Sequence, residues 1–167
     1  DARVAIKQIH EHLLADPTQA VLHRRMFRNE AALAGQLSHP HIVSTIDADE
    51  QAHPPYLVLE YIEGQSLEAF TRPDALLPVA EVLDIAFKCC NALEYALTKG
   101  LVHRDIKPAN IWLRLPLAGG EIFDPKKHRD PAHTPPLSTV VIDFGMVRAT
   151  RVAADAGGRF VAGTAGY

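Results

Sequence analysis

The feature of this sequence that most constrains its fold is a polar segment set against apolar ones. Residues 103–110 read HRDIKPAN, and an apolar run over 110–115 follows directly. A second apolar run over 139–143 ends at Asp143. Because Asn110 and Asp143 each stand at the end of an apolar run, both side chains can point into one cleft. The two side chains could then contribute to one shared crevice, or each could be a turn residue that caps the local backbone.

Apolar periodicity predicts a mixture of strands and helices. The predicted strands cover residues 3–9, 42–46 and 56–61. The predicted helices begin at Pro17-Thr18, with Thr18 as N-cap, at Ser66 and at residue 78. The first of them runs to about Leu37 and carries Glu30 on its inward stripe. The third ends at Gly100, and its predicted apolar face comprises Val82, Ile85, Ala86, Cys89, Leu93, Ala96 and Leu97.

Composition excludes several classes of protein. The net charge is -3 and the pI is about 6.3, so no basic surface draws the chain to nucleic acid or to an anionic membrane. No apolar run approaches the roughly 18 residues of a membrane span, and no signal peptide is visible. Two adjacent cysteines, Cys89 and Cys90, are too few for a disulfide framework and are interpreted as small apolar helix residues. These features favour a reduced, cytoplasmic setting.

Four segments, in their order along the chain, resemble the protein kinase family, in particular the bacterial serine/threonine type. They are Val4-Ala5-Ile6-Lys7, then Glu30 on the next helix, then residues 103–110, which match H-R-D-x-x-x-x-N, and finally Asp143-Phe144-Gly145. The terminal Gly163-Thr164-Ala165-Gly166-Tyr167 resembles the segment before the family's A-P-E motif. The eight-residue loop is specific by itself, whereas the strand and Asp-Phe-Gly motifs are weak alone.

The resemblance implies an α+β, bilobal, partial kinase fold. Residues 1–63 would form a small β-rich lobe with one long helix and the hinge, without the glycine-rich loop. Residues 64–167 would form the upper part of the helical lobe, with a proline-rich surface insertion at about 115–138. A chain that lacks the lower lobe is expected to be poorly stable and inactive alone. The full-length protein could be membrane-anchored through a segment not present here.

The resemblance also assigns chemistry, because phosphoryl transfer needs cations and hard oxygen ligands around ATP. Lys7, paired with Glu30, would meet the α- and β-phosphates. Asp105 would accept or orient the substrate hydroxyl proton, and Lys107 would stabilise the γ-phosphate. The predicted Mg²⁺ ligands are Asn110 and Asp143.

The adenine site follows by the same resemblance. Ala5 would form its roof, Leu59 its gatekeeper, and the backbone of Glu60 and Ile62 its hinge. Trp112 stands where the family usually has a smaller apolar floor residue. It is either an aromatic floor under adenine or a tryptophan packed in the core beneath the cleft.

Regulation and partners remain open at this stage. Arg104 resembles the arginine that pairs with a phosphate on the activation loop. The only hydroxyl residue in that loop before residue 163 is Thr150. Asp155 could therefore supply a standing negative charge to Arg104, or it could be a solvated loop acid. Alternatively, partner contact or dimerisation could order the loop. Thr164 resembles the threonine that holds Asp105 and Lys107, and His103 and Phe144 are expected to pack together.

The sequence therefore predicts ATP-dependent phosphorylation of serine or threonine hydroxyls on protein substrates, in signalling. The alternatives are a pseudokinase that serves as a scaffold, an inactive fragment of the kinase, or a small-molecule kinase of related fold.

Overall fold

A computed structural model describes residues 3–9, 11–33, 36–114, 138–144 and 148–149. Most of the predicted insertion, residues 115–137, lies outside the described residues, as do Gly145, Thr150, Asp155 and residues 163–167. Ser138, which the prediction included in the insertion, begins a strand instead. Within the described part of the chain, no helix combines the length and the apolar character that crossing a bilayer would need.

The N-terminal part is a three-stranded antiparallel sheet with helices packed on it. Its elements are β1 (Val4–Gln8), α1 (Glu11–Ala15), α2 (Pro17–Ala31), β2 (Thr45–Asp49) and β3 (Tyr56–Glu60). The strand order is β1-β3-β2. A small core of Ile9, Phe27, Ala31 and Leu57 joins α2 to the sheet.

The N-terminus of α2 differs from the prediction, which placed the cap at Thr18. The N-cap is Asp16, whose carboxylate accepts hydrogen bonds from the backbone N–H groups of Thr18, at 2.8 Å, and Gln19, at 3.3 Å. Pro17 is the first helical residue, where its missing N–H costs nothing. The cap is therefore the residue before the proline and not the one after it.

The C-terminus of α2 also differs, because the helix ends at Ala31 and not near Leu37. The apolar spacing continues past the end of the helix for a different reason. Leu33 and Leu37 are buried in the core of the C-terminal part, whereas Phe27 and Ala31 belong to the N-terminal core. The predicted stripe of Leu22, Met26, Glu30, Leu33/Ala34 and Leu37 is thus only partly correct: Glu30 is buried, Leu22 is exposed, and Leu33 and Leu37 follow the end of the helix and pack in another core.

The predicted strand over 42–46 forms three residues later, as β2. The preceding residues pair with another element: the Val43 N–H donates to the Val141 carbonyl at 3.0 Å, and the Val141 N–H donates to the His41 carbonyl at 2.9 Å. Ile42 forms an isolated parallel bridge with Val141. Ile42 and Val43 are both buried beside Val141, which accounts for their apolar side chains.

The C-terminal part combines a long helix with short antiparallel ladders. Its elements are β4 (Gly64–Ser66), a 3₁₀ turn (Leu67–Phe70), α3 (Val79–Thr98), β5 (Leu101–Val102), a second 3₁₀ turn (Pro108–Asn110), β6 (Ile111–Arg114), β7 (Ser138–Val141) and β8 (Arg148–Ala149). Strands β4, β6 and β7 form one sheet in that order, and β5 pairs with β8. The helix predicted from Ser66 is the 3₁₀ turn, which Ser66 caps.

Helix α3 buries a narrower stripe than the sequence predicts. The buried apolar residues are Ile85, Cys89, Ala92 and Ala96, at helical spacing. Val82, Ala86 and Leu97 were expected on this face but are exposed, because the described residues cover only one side of the helix. Ala92 was missing from the predicted face. Gly100 ends the helix with φ 78°, a conformation that glycine adopts without strain.

Gly64 has a role that its position after β3 did not reveal. A Cβ atom at this position would lie 1.9 Å from the carbonyl oxygen of Leu113 and 2.9 Å from its carbonyl carbon. Only glycine allows β4 to approach β6 this closely.

Candidate active site

Lys7 links the two parts of the molecule through two carboxylates. Its Nζ lies 2.7 Å from Glu30 Oε2 on α2 and 2.7 Å from Asp143 Oδ1 beyond β7. Strand β1 brings Lys7 to the inner face of the sheet, because Ala5 and Lys7 are less exposed than Val4, Ile6 and Gln8. The predicted Lys7–Glu30 pair is present, and Asp143 joins it.

Burial and charge act in opposite directions on this cluster. Burial by itself would lower the pKa of Lys7, but the charges of Glu30 and Asp143 and their hydrogen bonds raise it above its ordinary value. The Glu30 side chain is 5% exposed. That burial raises the pKa of Glu30 above its ordinary value, although Lys7 opposes the shift. Lys7 is therefore a firmly protonated cation at neutral pH, and Glu30 depends on it.

A second polar cluster surrounds Asp105, which is buried. Lys107 Nζ lies 3.0 Å from Asp105 Oδ2. Asn110 Nδ2 donates to the Asp105 carbonyl oxygen at 3.0 Å and to Asp105 Oδ2 at 3.1 Å. These bonds fix the orientation of the Asp105 carboxylate and of the Asn110 amide, and a preorganised carboxylate of this kind is suited to accept a proton from a bound hydroxyl.

His103 holds the two clusters together. Its Nε2 lies 3.0 Å from the Ile142 carbonyl oxygen, and its Nδ1 accepts the Asp105 N–H at 3.3 Å. Its ring packs edge-on against Phe144 with centroids 4.6 Å apart, as predicted. Because Nδ1 accepts, the neutral tautomer with the proton on Nε2 fits this network. Burial lowers the pKa of His103, which favours the same neutral form.

The backbone next to these groups is held in an unusual conformation. Arg104 and Asp143 have φ values of 71° and 62°, in the left-handed region that most side chains avoid. Such residues persist where surrounding contacts determine them, and they concentrate at functional sites. Ile142, which precedes Asp143, donates its N–H to the Asn110 carbonyl at 2.9 Å. Lys7, Asp143, Asn110 and Asp105 therefore belong to one connected network.

The residues predicted for the adenine site lie on adjoining elements. Ala5 on β1 is directly opposite Leu59 on β3. A cluster of buried Val43, Ile62 and Val140 packs against partly buried Leu59, Trp112 and Ile142. Trp112 is thus partly buried, and it packs on the same cluster as Leu59, the predicted gatekeeper.

Two ion pairs at the predicted hinge have no counterpart in the sequence analysis. Arg114 Nη2 lies 2.8 Å from Glu60 Oε1, and Arg3 Nη2 lies 3.0 Å from Glu63 Oε2. Each pair joins residues more than 50 positions apart, so no local spacing could reveal them. The described residues contain no group of three or more histidine, cysteine, aspartate or glutamate side chains suited to a metal.

Comparison with known proteins gives the family. The protein kinase domain model matches residues 1–167. The serine/threonine-protein kinase PknB of Mycobacterium leprae is 37% identical over 114 residues, which are 66% of this chain and 18% of that protein. The serine/threonine-protein kinase Pkn1 of Myxococcus xanthus is 36% identical over 112 residues, 67% of this chain and 15% of that protein.

Solved structures agree. The Mycobacterium tuberculosis PknI kinase domain superimposes with a TM-score of 0.60 at 30% identity, covering 85% of this chain and 49% of that one. The chain thus spans about half of that solved domain and less than a fifth of the curated relatives. The fold is that of a partial bilobal kinase, as predicted. With its motifs assembled into one network and the family model matched over its whole length, this chain belongs to the protein kinase domain family.

Proposed function

We propose that this chain is the catalytic core of a protein serine/threonine kinase that transfers the γ-phosphoryl group of ATP to hydroxyls of protein substrates. The observation that carries the proposal is the bridging position of Lys7 between Glu30 and Asp143. An ammonium group has three N–H donors. Two of them are directed at the carboxylates, which holds Lys7 where a third can meet a phosphate oxygen.

The roles of the loop residues rest on their contacts. Lys107 and Asn110 both bind Asp105 Oδ2, so the carboxylate is oriented before a substrate arrives. Asp105 accepts the proton of the substrate hydroxyl as that oxygen attacks phosphorus. Lys107, only 3.0 Å from this carboxylate, also lies where it can stabilise charge on the transferred group.

The donor set available for a metal suits Mg²⁺. Asn110 and Asp143 offer one amide and one carboxylate, and Mg²⁺ is commonly bound by one or two protein oxygens together with water and phosphate. The bonds from Asn110 Nδ2 to Asp105 leave the amide oxygen as the atom directed to a metal. Bound Mg²⁺ would neutralise charge on the phosphates of ATP.

The adenine would lie between Ala5 and Trp112, against the backbone of Glu60 and Ile62 and beside Leu59. The packing of Trp112 against the cluster of Val43, Ile62 and Val140 supports an aromatic floor. The side chain of Thr164 and the regulatory roles of Arg104, Thr150 and Asp155 remain predictions, as does dimerisation.

Transfer of labelled phosphate from ATP to a generic protein substrate tests the proposal in the full-length protein. Asp105→Asn and Asp143→Asn are each expected to lower the rate by a factor of about 10² to 10³, because each removes a preorganised electrostatic group. The matched control is Asp84→Asn, which removes an aspartate from the Lys88 pair on α3 and is expected to leave the rate within about twofold. Near-parental rates in the Asp105 variant would refute its role.

Nucleotide binding without any transfer by the unaltered protein would instead favour a pseudokinase. The 167-residue chain alone is expected to be inactive, since α3 exposes Val79, Leu83 and Phe87 on a side that no described element covers. Full activity of that chain by itself would contradict this expectation.

A further inference from the structure

Glu60, at the end of β3, receives contacts from two other segments. Its Oε1 lies 2.8 Å from Arg114 Nη2 on β6 and accepts the Ser44 N–H at 3.4 Å. The Glu60 N–H in turn donates to the Ser44 carbonyl at 3.0 Å. The side chains of Arg114 and Glu60 are 36% and 28% exposed, so the pair is half-buried and less screened than a surface pair.

These contacts close a ring between the hinge and the strands that carry the catalytic groups. The segment before Ser44 is tied to β7 by the paired backbone bonds of His41 and Val43 with Val141. Strand β7 pairs with β6, and Arg114 ends β6. The hinge end of β3 is thus connected to β6 by three routes: through the backbone of β7, through the chain into β4, and through the Arg114 side chain.

Strand β6 reaches the hinge at a second point from the same face. Successive side chains of a strand alternate between faces, so Trp112 and Arg114 share one face and buried Ile111 and Leu113 the other. Trp112 packs on the cluster that includes Ile62, whereas Arg114 binds Glu60. One predicted hinge residue, Glu60, is therefore bound by this face of β6, and the other, Ile62, belongs to the cluster on which the face packs.

We propose that Arg114 is a positioning residue of the nucleotide site: its ion pair with Glu60 fixes the hinge backbone at the distance from Trp112 that an adenine ring requires. This inference rests on the proposed kinase function. Without the pair, the hinge end of β3 keeps its backbone bonds to Ser44, its pairing with β1 and its link through β4, but it loses its side-chain tie to β6 and gains freedom there. Nucleotide affinity then falls, because the site must be ordered on binding, while the Asp105 cluster keeps its own bonds.

The chain offers a matched control at the same hinge. Arg3 and Glu63 form an ion pair of similar length, 3.0 Å, but their side chains are 65% and 60% exposed. The Arg3 guanidinium also lies over the Tyr61 ring, 4.7 Å from its centroid. This pair joins the residue before β1 to the hinge, and neither its ion pair nor its ring contact involves a residue of β6. An exposed pair of this kind contributes little.

The experiment compares Arg114→Met, which keeps the apolar stem, with Glu60→Gln, the double variant and Arg3→Met, all in the full-length protein. The dissociation constant of the Mg²⁺ complex of AMP-PNP, a non-hydrolysable ATP analogue, is measured by calorimetry, and kcat and KM for ATP by phosphate transfer. Arg114→Met is expected to raise both Kd and KM about fivefold, with kcat within about twofold. The Kd of the double variant is expected to be no higher than that of the single variant that binds less tightly. Arg114→Lys should recover part of the loss, and Arg3→Met should match the parent.

Unchanged Kd in Arg114→Met, or equal effects of Arg114→Met and Arg3→Met, would overturn the inference and leave the proposed function intact. A variant that loses thermal stability and kcat at unchanged Kd would show a structural role only, and would also overturn it. Failure of the parent protein to bind the analogue would overturn the proposed function itself, so the two failures are distinguishable.

Discussion

Replacing Lys7 by Met and replacing Glu30 by Gln break the same ion pair but should have unequal effects on stability. Lys7→Met leaves Glu30, which is 5% exposed, without its cation, and leaves Asp143 facing it. Glu30→Gln leaves Lys7 with Asp143 as a partner at 2.7 Å. The Lys7 side chain is also 39% exposed, so water can stabilise its charge. Loss of the glutamate should therefore destabilise the protein less than loss of the lysine.

The size of the difference follows from burial. Removing one partner of a buried ion pair typically costs about 3–5 kcal/mol. The partial exposure of Lys7 and Asp143 places the expected loss for Lys7→Met at the lower end, about 3 kcal/mol. Glu30→Gln removes the buried charge together with the ion pair, so we expect a loss of about 1 kcal/mol in the free energy of unfolding. Because this chain spans about half of a kinase domain, the 2 kcal/mol difference corresponds to about 4 °C in the Tm of the whole domain.

The pH dependence provides an independent check. Burial raises the pKa of Glu30, and Lys7 opposes that shift. Lys7→Met removes the opposing charge and raises the pKa further. A carboxyl whose folded-state pKa is raised contributes stability below its unfolded pKa and loses it as the pH rises through the folded value. The loss in Lys7→Met should therefore be larger at about pH 8 than at about pH 5.

Thermal melting of both variants at these two pH values, in the full-length protein, tests the reasoning. The double variant, which buries no unpaired carboxylate, should melt above Lys7→Met at pH 8. If Lys7→Met melts no lower than Glu30→Gln at pH 8, or if its loss is the same at both pH values, the account of Glu30 as a buried, dependent charge is wrong.

Three further predictions concern single residues. Burial lowers the pKa of His103, so its contribution to stability is present above about pH 6.5 and lost as the pH falls through the lowered value; His103→Asn should flatten the acid limb of the Tm profile, and an unchanged slope would contradict this. Asp16→Ala should cost about 1 kcal/mol and Thr18→Ala clearly less in thermal melts, whereas the reverse order would restore Thr18 as the cap. Gly64→Ala should cost about 3 kcal/mol, because its Cβ would meet the Leu113 carbonyl at 1.9 Å, and a Tm equal to the parent's would show that β4 and β6 can separate without cost.

The site was predictable where a residue is chemically out of place in a local pattern. Glu30 falls on the inward stripe of a helix and Lys7 lies inside an apolar strand, so each required a partner of opposite charge. The loop over 103–110 was predictable because its eight positions are contiguous. In these cases, residues close together in the sequence were enough to predict the contact. The structure adds Asp143, which also binds Lys7.

The errors have physical causes that differ in kind. The error of placing the N-cap at Thr18 was avoidable, since a proline at the first helical position indicates that the residue before it is the cap. The end of α2 was not avoidable by periodicity, because Leu33 and Leu37 continue the stripe while packing in another core. The Glu60–Arg114 pair spans 54 positions and leaves no local trace.

The strained backbone explains why this site needs so many polar bonds. A non-glycine residue held at positive φ costs about 1–3 kcal/mol, and the site holds two, Arg104 and Asp143. His103 precedes one of them and supports the other, because it binds the carbonyl of Ile142 and packs on Phe144, the two neighbours of Asp143. A relaxed backbone at Asp143 would turn its side chain away from Lys7 and out of the network that joins Lys7 to Asp105. His103 thus holds both neighbours of Asp143 from a buried position, and burial lowers its pKa, which favours the neutral ring whose Nε2–H donates to the Ile142 carbonyl.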